Sequence, residues 1–233
     1  MTDTPPRRYI FDPPPLPALP VADSDDWFPV RRVYCVGRNY AAHAVEMGHD
    51  PTEDPPFFFQ KNPDDLNLTG VFPYPSESSD VHHEVELVVA LSAGGANLSE
   101  GDAAACVYGY AVGLDMTRRD RQAEAKALRR PWTVAKAFEA SAPCGPVVPA
   151  TRSGPMNAGT IGVDVNGATR QSGDLDQMIW SVPDVIVFLS RLFVLAPGDV
   201  IFTGTPAGVG PVHRGDRLHA YVDGLPALDV EVA

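Results

Sequence analysis

Cysteine is scarce in this chain and has no pattern. Cys35, Cys106 and Cys144 are an odd, widely spaced set among 233 residues. That excludes a disulfide framework and a thiolate zinc cluster, and it reads as reduced, buried thiols in a cytosolic protein. Positive charge is also short. Eighteen Lys and Arg stand against 30 Asp and Glu, for a formal net charge of −12. Such a balance carries no general attraction to nucleic acid or anionic membranes, so neither partner is expected. No apolar run reaches the roughly 20 residues of a spanning helix. The first residues, MTDTPPRRYIFDPPPLPALP, lack the apolar stretch of a secretory signal, and a cytoplasmic protein is expected. No repeat, second core or long linker divides the chain. No lysine completes a phosphate loop around GTPAGVG, and a β-type segment rather than a helix follows it, which removes the nucleotide reading.

Proline is plentiful, at 24 residues, and suits many short elements joined by turns. Residues 1–26 read as a Pro-rich N-terminal arm in which PPPLPALP can form polyproline II. Residues 27–233 read as a single domain, mostly β with few short helices. Within it RRVYCVG and FFF read as strands, and Asn166-Gly167 as a hairpin turn. Ser99-Glu100-Gly101-Asp102 resembles a capping box. Ser181–Val194 is the best helix, capped by Ser181, with positions 182, 185, 186, 189, 192 and 193 on its core face.

The stretch Val81–Leu91, VHHEVELVVAL, reads as one strand. Alternation puts Glu84, Glu86 and His82 on one face, with Val85, Leu87 and Val89 on the other. Two adjacent carboxylates on a mostly buried strand repel each other and cost desolvation, and a bound cation relieves both. Asp115 ends the apolar run Tyr110–Leu114, as a third ligand or as the cap of the next turn. If the three converge, the set is all oxygen and suits Mg²⁺ or Mn²⁺, with Ca²⁺ an option. Around a divalent ion they leave one net negative charge, and a 2-oxo acid is a natural chelator whose enolate such an ion stabilises.

Other candidates carry two readings each. His43 and Glu46 are neighbours at i and i+3 on a short helix RNYAAHAVEMGH, either as a solvent-facing pair or as a carboxylate-supported base. The polar, Pro-rich HDPTEDPP beside them would suit a lid. Lys61, just before the Asn62-Pro63 turn, either snorkels or serves an anionic substrate, and Lys136, in apolar surroundings, either snorkels or is functional. The Thr205 hydroxyl and its Gly-rich loop could meet a small carboxylate.

In order along the chain, GRNYAAHAVEMG, HHEVELVVAL, GYAVGLDMTRRDRQ, AKAFEASAPCGP and GDVIFTGTPAGVGP resemble the fumarylacetoacetate hydrolase family, from about Val33 to the end. FFFQK and the RRPW stretch are most like its bacterial fumarylpyruvate and acylpyruvate hydrolases. The resemblance implies a rolled mixed β-sandwich of the α+β class and a homodimer. It implies that Glu84, Glu86 and Asp115 bind Mg²⁺ or Mn²⁺, that His43 and Glu46 activate water on a segment that orders with substrate, and that Lys136 lies at the substrate. Gln122 and Thr205 match substrate-contacting positions, and Arg38 and Lys61 match less sharply. Arg118 and Asn62 depart from the family pattern, which bears on specificity.

The expected function is hydrolysis of a carbon–carbon bond in a 2,4-dioxo acid, foremost 3-fumarylpyruvate to fumarate and pyruvate, in aromatic catabolism. The alternative is decarboxylation or isomerisation of a 2-oxo acid, of the oxaloacetate or 2-oxo-dienedioate type. A non-catalytic carboxylate- or metal-binding module is the third reading, and it would have no use for the pair His43 and Glu46.

Overall fold

A computed structural model describes residues 8–41 and 55–233. Short strands dominate and helices are few, as the expected mostly β, α+β class requires. The larger of two mixed sheets has six strands in the order Val148–Pro149, Val107–Leu114, Val85–Leu91, Asp199–Phe202, Arg32–Gly37, Phe57–Lys61. The other has five, in the order Ala168–Asp174, Thr160–Val165, Arg217–Val222, Leu228–Val232, Val71–Phe72. Arg32–Gly37 runs parallel to Asp199–Phe202, and Val71–Phe72 runs parallel to Leu228–Val232.

Strand alternation builds two cores from the central strand. Val85, Leu87, Val89 and Leu91 join Ile161, Val163, Leu218 and Ala220 of the five-stranded sheet. Val88 and Ala90 face the other way, onto Val33, Cys35, Phe202, Leu19 and Phe28. Burial on both faces is why this segment reads as a continuous apolar run. Glu86 has the parity of Val88 and so enters the second layer as a buried carboxyl group.

The expected single strand over Val81–Leu91 is two. Val81–His83 pairs with Thr117–Arg118 and Gly210–Val212 in a separate sheet, and Val85–Leu91 enters the large one. Glu84 sits at the break, where its carbonyl accepts from Asp115 N at 2.9 Å. His82 lies on the shorter strand, and its Nε2 is 2.8 Å from Asp80 Oδ1.

The fold also begins earlier than the expected boundary at residue 27. Ala18–Pro20 pairs with Trp27–Pro29, and Leu19 and Val21 are buried against the large sheet. Residues 8–16 are the exposed remainder of the arm within the described range. Phe57–Lys61 is an edge strand, so its phenylalanines are half-buried and able to line a cavity. The helix Val182–Leu192 is capped by Ser181, whose Oγ accepts from Asp184 N. Val182, Val185, Ile186 and Leu189 are buried as expected, whereas Leu192 is exposed. Asn166 and Gly167, at φ 53° and 78°, make the expected tight hairpin.

Candidate active site

Three carboxylates converge. Ligand oxygens of Glu84, Glu86 and Asp115 lie within 4.8 Å of one another, and all three residues are buried. Register is the cause. Val85 pairs with Leu114, so the residues just outside that pair, Glu84 and Asp115, emerge side by side, and Glu86 follows two residues along.

Cations crowd this cluster. Lys136, on the one-turn helix Thr133–Lys136, donates to Glu84 Oε2 at 2.8 Å and to Asp115 Oδ2 at 2.6 Å. Arg119 donates to Glu84 Oε1 at 2.6 Å and to Gln122 Oε1 at 2.7 Å. Lys61 Nζ forms an ion pair with Asp115 Oδ1 at 2.8 Å, outside hydrogen-bond alignment, and among the described residues that buried oxygen has no aligned hydrogen-bond donor. Gly204 N donates to Glu86 Oε2 at 2.7 Å. A Cβ at Gly204 would meet Asn39 at 2.8 Å, and its φ is 97°, so this approach of the backbone calls for glycine.

Burial raises the Glu86 pKa well above the usual carboxylate range, and the Asp115 and Glu84 charges add to the rise. For Lys136 burial works against the charge, but the Asp115 and Glu84 carboxylates together outweigh it and its pKa is raised. An all-oxygen, hard donor set with one buried carboxylate oxygen that lacks an aligned hydrogen bond fits a divalent cation of the Mg²⁺, Mn²⁺ or Ca²⁺ kind. The charge count differs from the expected net negative site. Among the described residues Lys61, Lys136 and Arg119 balance the three carboxylates when all three are ionised, so a divalent ion makes that set net positive. A site with that balance attracts an anion.

A cavity of about 40 Å³ lies against Glu84, Glu86 and Lys136, with Arg38, Gln122 and Thr205 in its walls. A basin of about 710 Å³ shares Arg38, Phe57, Phe59, Trp132 and Lys136 with it. Arg38 stands over the Phe57 ring at 5.1 Å, and Lys126 stands over Trp132 at 5.2 Å. Partial burial lowers the Lys126 pKa, and Arg119 and Arg38 lower it further.

Of the residues singled out in the sequence, Glu84, Glu86, Lys136, Arg38, Gln122 and Thr205 come together around this cavity. Lys61 stands further back than these six. It is buried behind Asp115, with Met116 O, Lys136 O and Ser141 Oγ also around its Nζ, and it does not reach the cavity wall. His43 and Glu46 lie outside the described residues. Arg119, Lys126 and Trp132 line the cavity without having been expected there. The i, i+3 spacing of Arg119 and Gln122 on the helix Arg119–Ala127 was the available signal for the first.

Residues 32–233 match the family described as fumarylacetoacetate (FAA) hydrolase C-terminal. A fumarylpyruvate hydrolase from Pseudomonas aeruginosa, solved with Mn²⁺ and pyruvate, is 48% identical, with a TM-score of 0.95 over 97% of this chain and 99% of that one. A fumarylpyruvate hydrolase of Ralstonia sp is 41% identical over 78% of this chain and 95% of its own. An oxaloacetate tautomerase of Escherichia coli (strain K12) is 40% identical over 84% of this chain and 90% of its own.

Proposed function

The chain belongs to the fumarylacetoacetate hydrolase family, and on that premise we propose that it hydrolyses a carbon–carbon bond of a 2,4-dioxo acid, foremost 3-fumarylpyruvate, to fumarate and pyruvate. The observation that carries the reading is the buried trio Glu84, Glu86 and Asp115 beside a cavity whose further charges, among the described residues, are cationic. Fumarylpyruvate carries a carboxylate at each end. One end suits the carboxylate–cation cluster, and the other reaches towards Arg38 and the aromatic walls of the larger basin.

In this reading a divalent ion held by Glu84, Glu86 and Asp115 supplies a Lewis acid that favours an enolate. The protein groups do the rest. His43, oriented by Glu46, takes a proton from the water that attacks the distal keto carbon. Arg119 occupies the Gln122 carbonyl oxygen, which leaves the Gln122 amide N–H groups to donate to the oxyanion of the tetrahedral intermediate. The bond to the pyruvoyl carbon then breaks, its electron pair leaving as the enolate of pyruvate, and Lys136 holds a positive charge beside it. Protonation at carbon completes pyruvate. Thr205 donates to an oxygen of the 2-oxo acid. A homodimer is part of the proposal, and light scattering in solution tests it.

The likeness to the oxaloacetate tautomerase supports a second reading, enolisation or decarboxylation of a shorter 2-oxo diacid at the same cluster with no attacking water. One panel separates the two. Fumaryl-, maleyl- and acetylpyruvate and oxaloacetate are offered with Mg²⁺, Mn²⁺ or chelator, following loss of dioxo-acid absorbance and formation of products. Metal-dependent release of fumarate and pyruvate is expected. Turnover of oxaloacetate alone favours the second reading, and turnover of none of the acylpyruvates defeats the first.

A further inference from the structure

Gln171 is fully buried on the strand Ala168–Asp174, and it makes four hydrogen bonds. Its Oε1 lies 3.1 Å from Val85 N and 2.9 Å from His83 Nδ1. Its Nε2 lies 2.8 Å from Thr205 Oγ1 and 2.8 Å from Pro206 O. Backbone groups decide which end of the amide is which. An N–H only donates, so Val85 requires the oxygen, and a C=O only accepts, so Pro206 requires the nitrogen. Two protons are thereby located. His83 carries its proton on Nδ1, and Thr205 Oγ1 is an acceptor towards Gln171. A hydroxyl that accepts on one side directs its own proton elsewhere, and Thr205 lines the cavity beside the carboxylate cluster.

We propose that Gln171 is a positioning residue, which takes a lone pair of the Thr205 hydroxyl and so aims its proton into the cavity, making Thr205 a donor to the carboxylate or keto oxygen of a bound 2-oxo acid. The inference rests on the function proposed above, which puts such an acid there. The same amide holds Val85 N, next to Glu84. One side chain therefore sets the donor to the ligand and the strand break that presents a carboxylate of the cluster.

The test uses the Mn²⁺-loaded protein with pyruvate as probe, by calorimetry, together with kcat and KM for fumarylpyruvate. Thr205→Val should weaken pyruvate binding and raise KM about tenfold, the worth of one hydrogen bond to a charged group, with Mn²⁺ affinity within about twofold of wild type. Thr205→Ser should restore most of the loss. Gln171→Glu presents an acceptor where Thr205 needs a donor, so it should reproduce the Thr205→Val loss, and the double variant should be no weaker than Thr205→Val alone. Wild-type pyruvate affinity in Gln171→Glu, or losses that add in the double variant, overturns the proposal. A measurement on the wild-type protein covers the case in which a Gln171 variant does not fold. Nitrogen NMR at pH 8 should find His83 as the Nδ1–H tautomer. The Nε2–H tautomer would mean the amide is reversed and the proposal wrong. If the wild-type protein neither binds pyruvate with Mn²⁺ nor turns over any acylpyruvate, the functional reading fails, and the His83 tautomer still decides the Gln171 arrangement.

Discussion

Lys61 and Asp115 meet deep in the protein, with Nζ 2.8 Å from Oδ1 and both side chains fully buried. Neither charge has solvent to fall back on, so each depends on the other and on the groups around them. Asp115 keeps Lys136 at 2.6 Å, so removing Lys61 leaves the buried carboxylate partly compensated, at a cost of up to about 3–5 kcal/mol. Lys61→Met should therefore lower the thermal midpoint sharply in chelator. Mn²⁺ should recover more of that loss than it adds to wild type, because the freed carboxylate gains a cation. If the variant keeps wild-type stability and loses only substrate affinity, Lys61 is a substrate contact after all.

Lys136 gives the opposite division between binding and turnover. Its ammonium bridges Glu84 and Asp115 and also lines the cavity. Lys136→Met takes a positive charge away from the carboxylate cluster, so Mn²⁺ should bind more tightly, by roughly tenfold for about 1.4 kcal/mol of relieved repulsion. Turnover should fall by about 10²-fold or more, as expected for loss of a group that stabilises developing negative charge. Calorimetry with Mn²⁺ and steady-state rates on fumarylpyruvate check the two halves. Weaker Mn²⁺ binding together with intact turnover would reverse the assignment.

Removal of metal should be visible without any substrate. A ligand present at about 100 times its Kd stabilises by about 2.7 kcal/mol, and for a chain of this length about 1 kcal/mol moves the midpoint by roughly 2–4 °C. Mn²⁺ or Mg²⁺ should raise the melting temperature by about 5–10 °C over chelator. Glu86→Gln should abolish that shift, because Glu86 is one of the three converging carboxylates. A shift of wild-type size in Glu86→Gln would place the ion elsewhere.

How much of this was legible depended on sequence distance. Glu84 and Glu86 are two apart on a strand, and Asp115 ends an apolar run, so short-range periodicity pointed to all three. The break at Glu84 was hidden, because the residues on both sides of it are apolar or buried in either arrangement. The role of Arg119 depends on Glu84, 35 positions away, and that of Gln171 on His83, 88 positions away. No local pattern encodes such pairings; they follow from which strands the sheets bring together. The burial of Lys61 was hidden for the same reason. Its strand is at the sheet edge, yet its side chain turns inward to Asp115.

The thiols should be inert in the native protein. Cys35, Cys106 and Cys144 are all buried and free. Burial pushes Cys144 up to about 12 and raises Cys35 and Cys106 as well. A raised pKa means less thiolate at a given pH, and the thiolate is the reactive form. At pH 8 a disulfide reagent should label the native protein very slowly and release three equivalents after unfolding. Rapid labelling of the native state would show that one of these layers opens readily.

Arg38 sits in the left-handed region at φ 62°, where a residue with a Cβ pays about 1–2 kcal/mol. Gly37 before it has the Phe57 ring packed so closely that a Cβ there would lie 2.0 Å from it. The backbone is thus bent tightly at the cavity wall, and strain kept at such a place is typical of a site that uses the side chain. Arg38→Met keeps the strain and removes the charge, whereas Arg38→Gly removes both. Each should raise KM for fumarylpyruvate about tenfold or more, and much less for acetylpyruvate, which lacks the second carboxylate. Arg38→Gly should be at least as stable as Arg38→Met by thermal melting. Equal losses on the two substrates would mean that Arg38 does not read the acyl end.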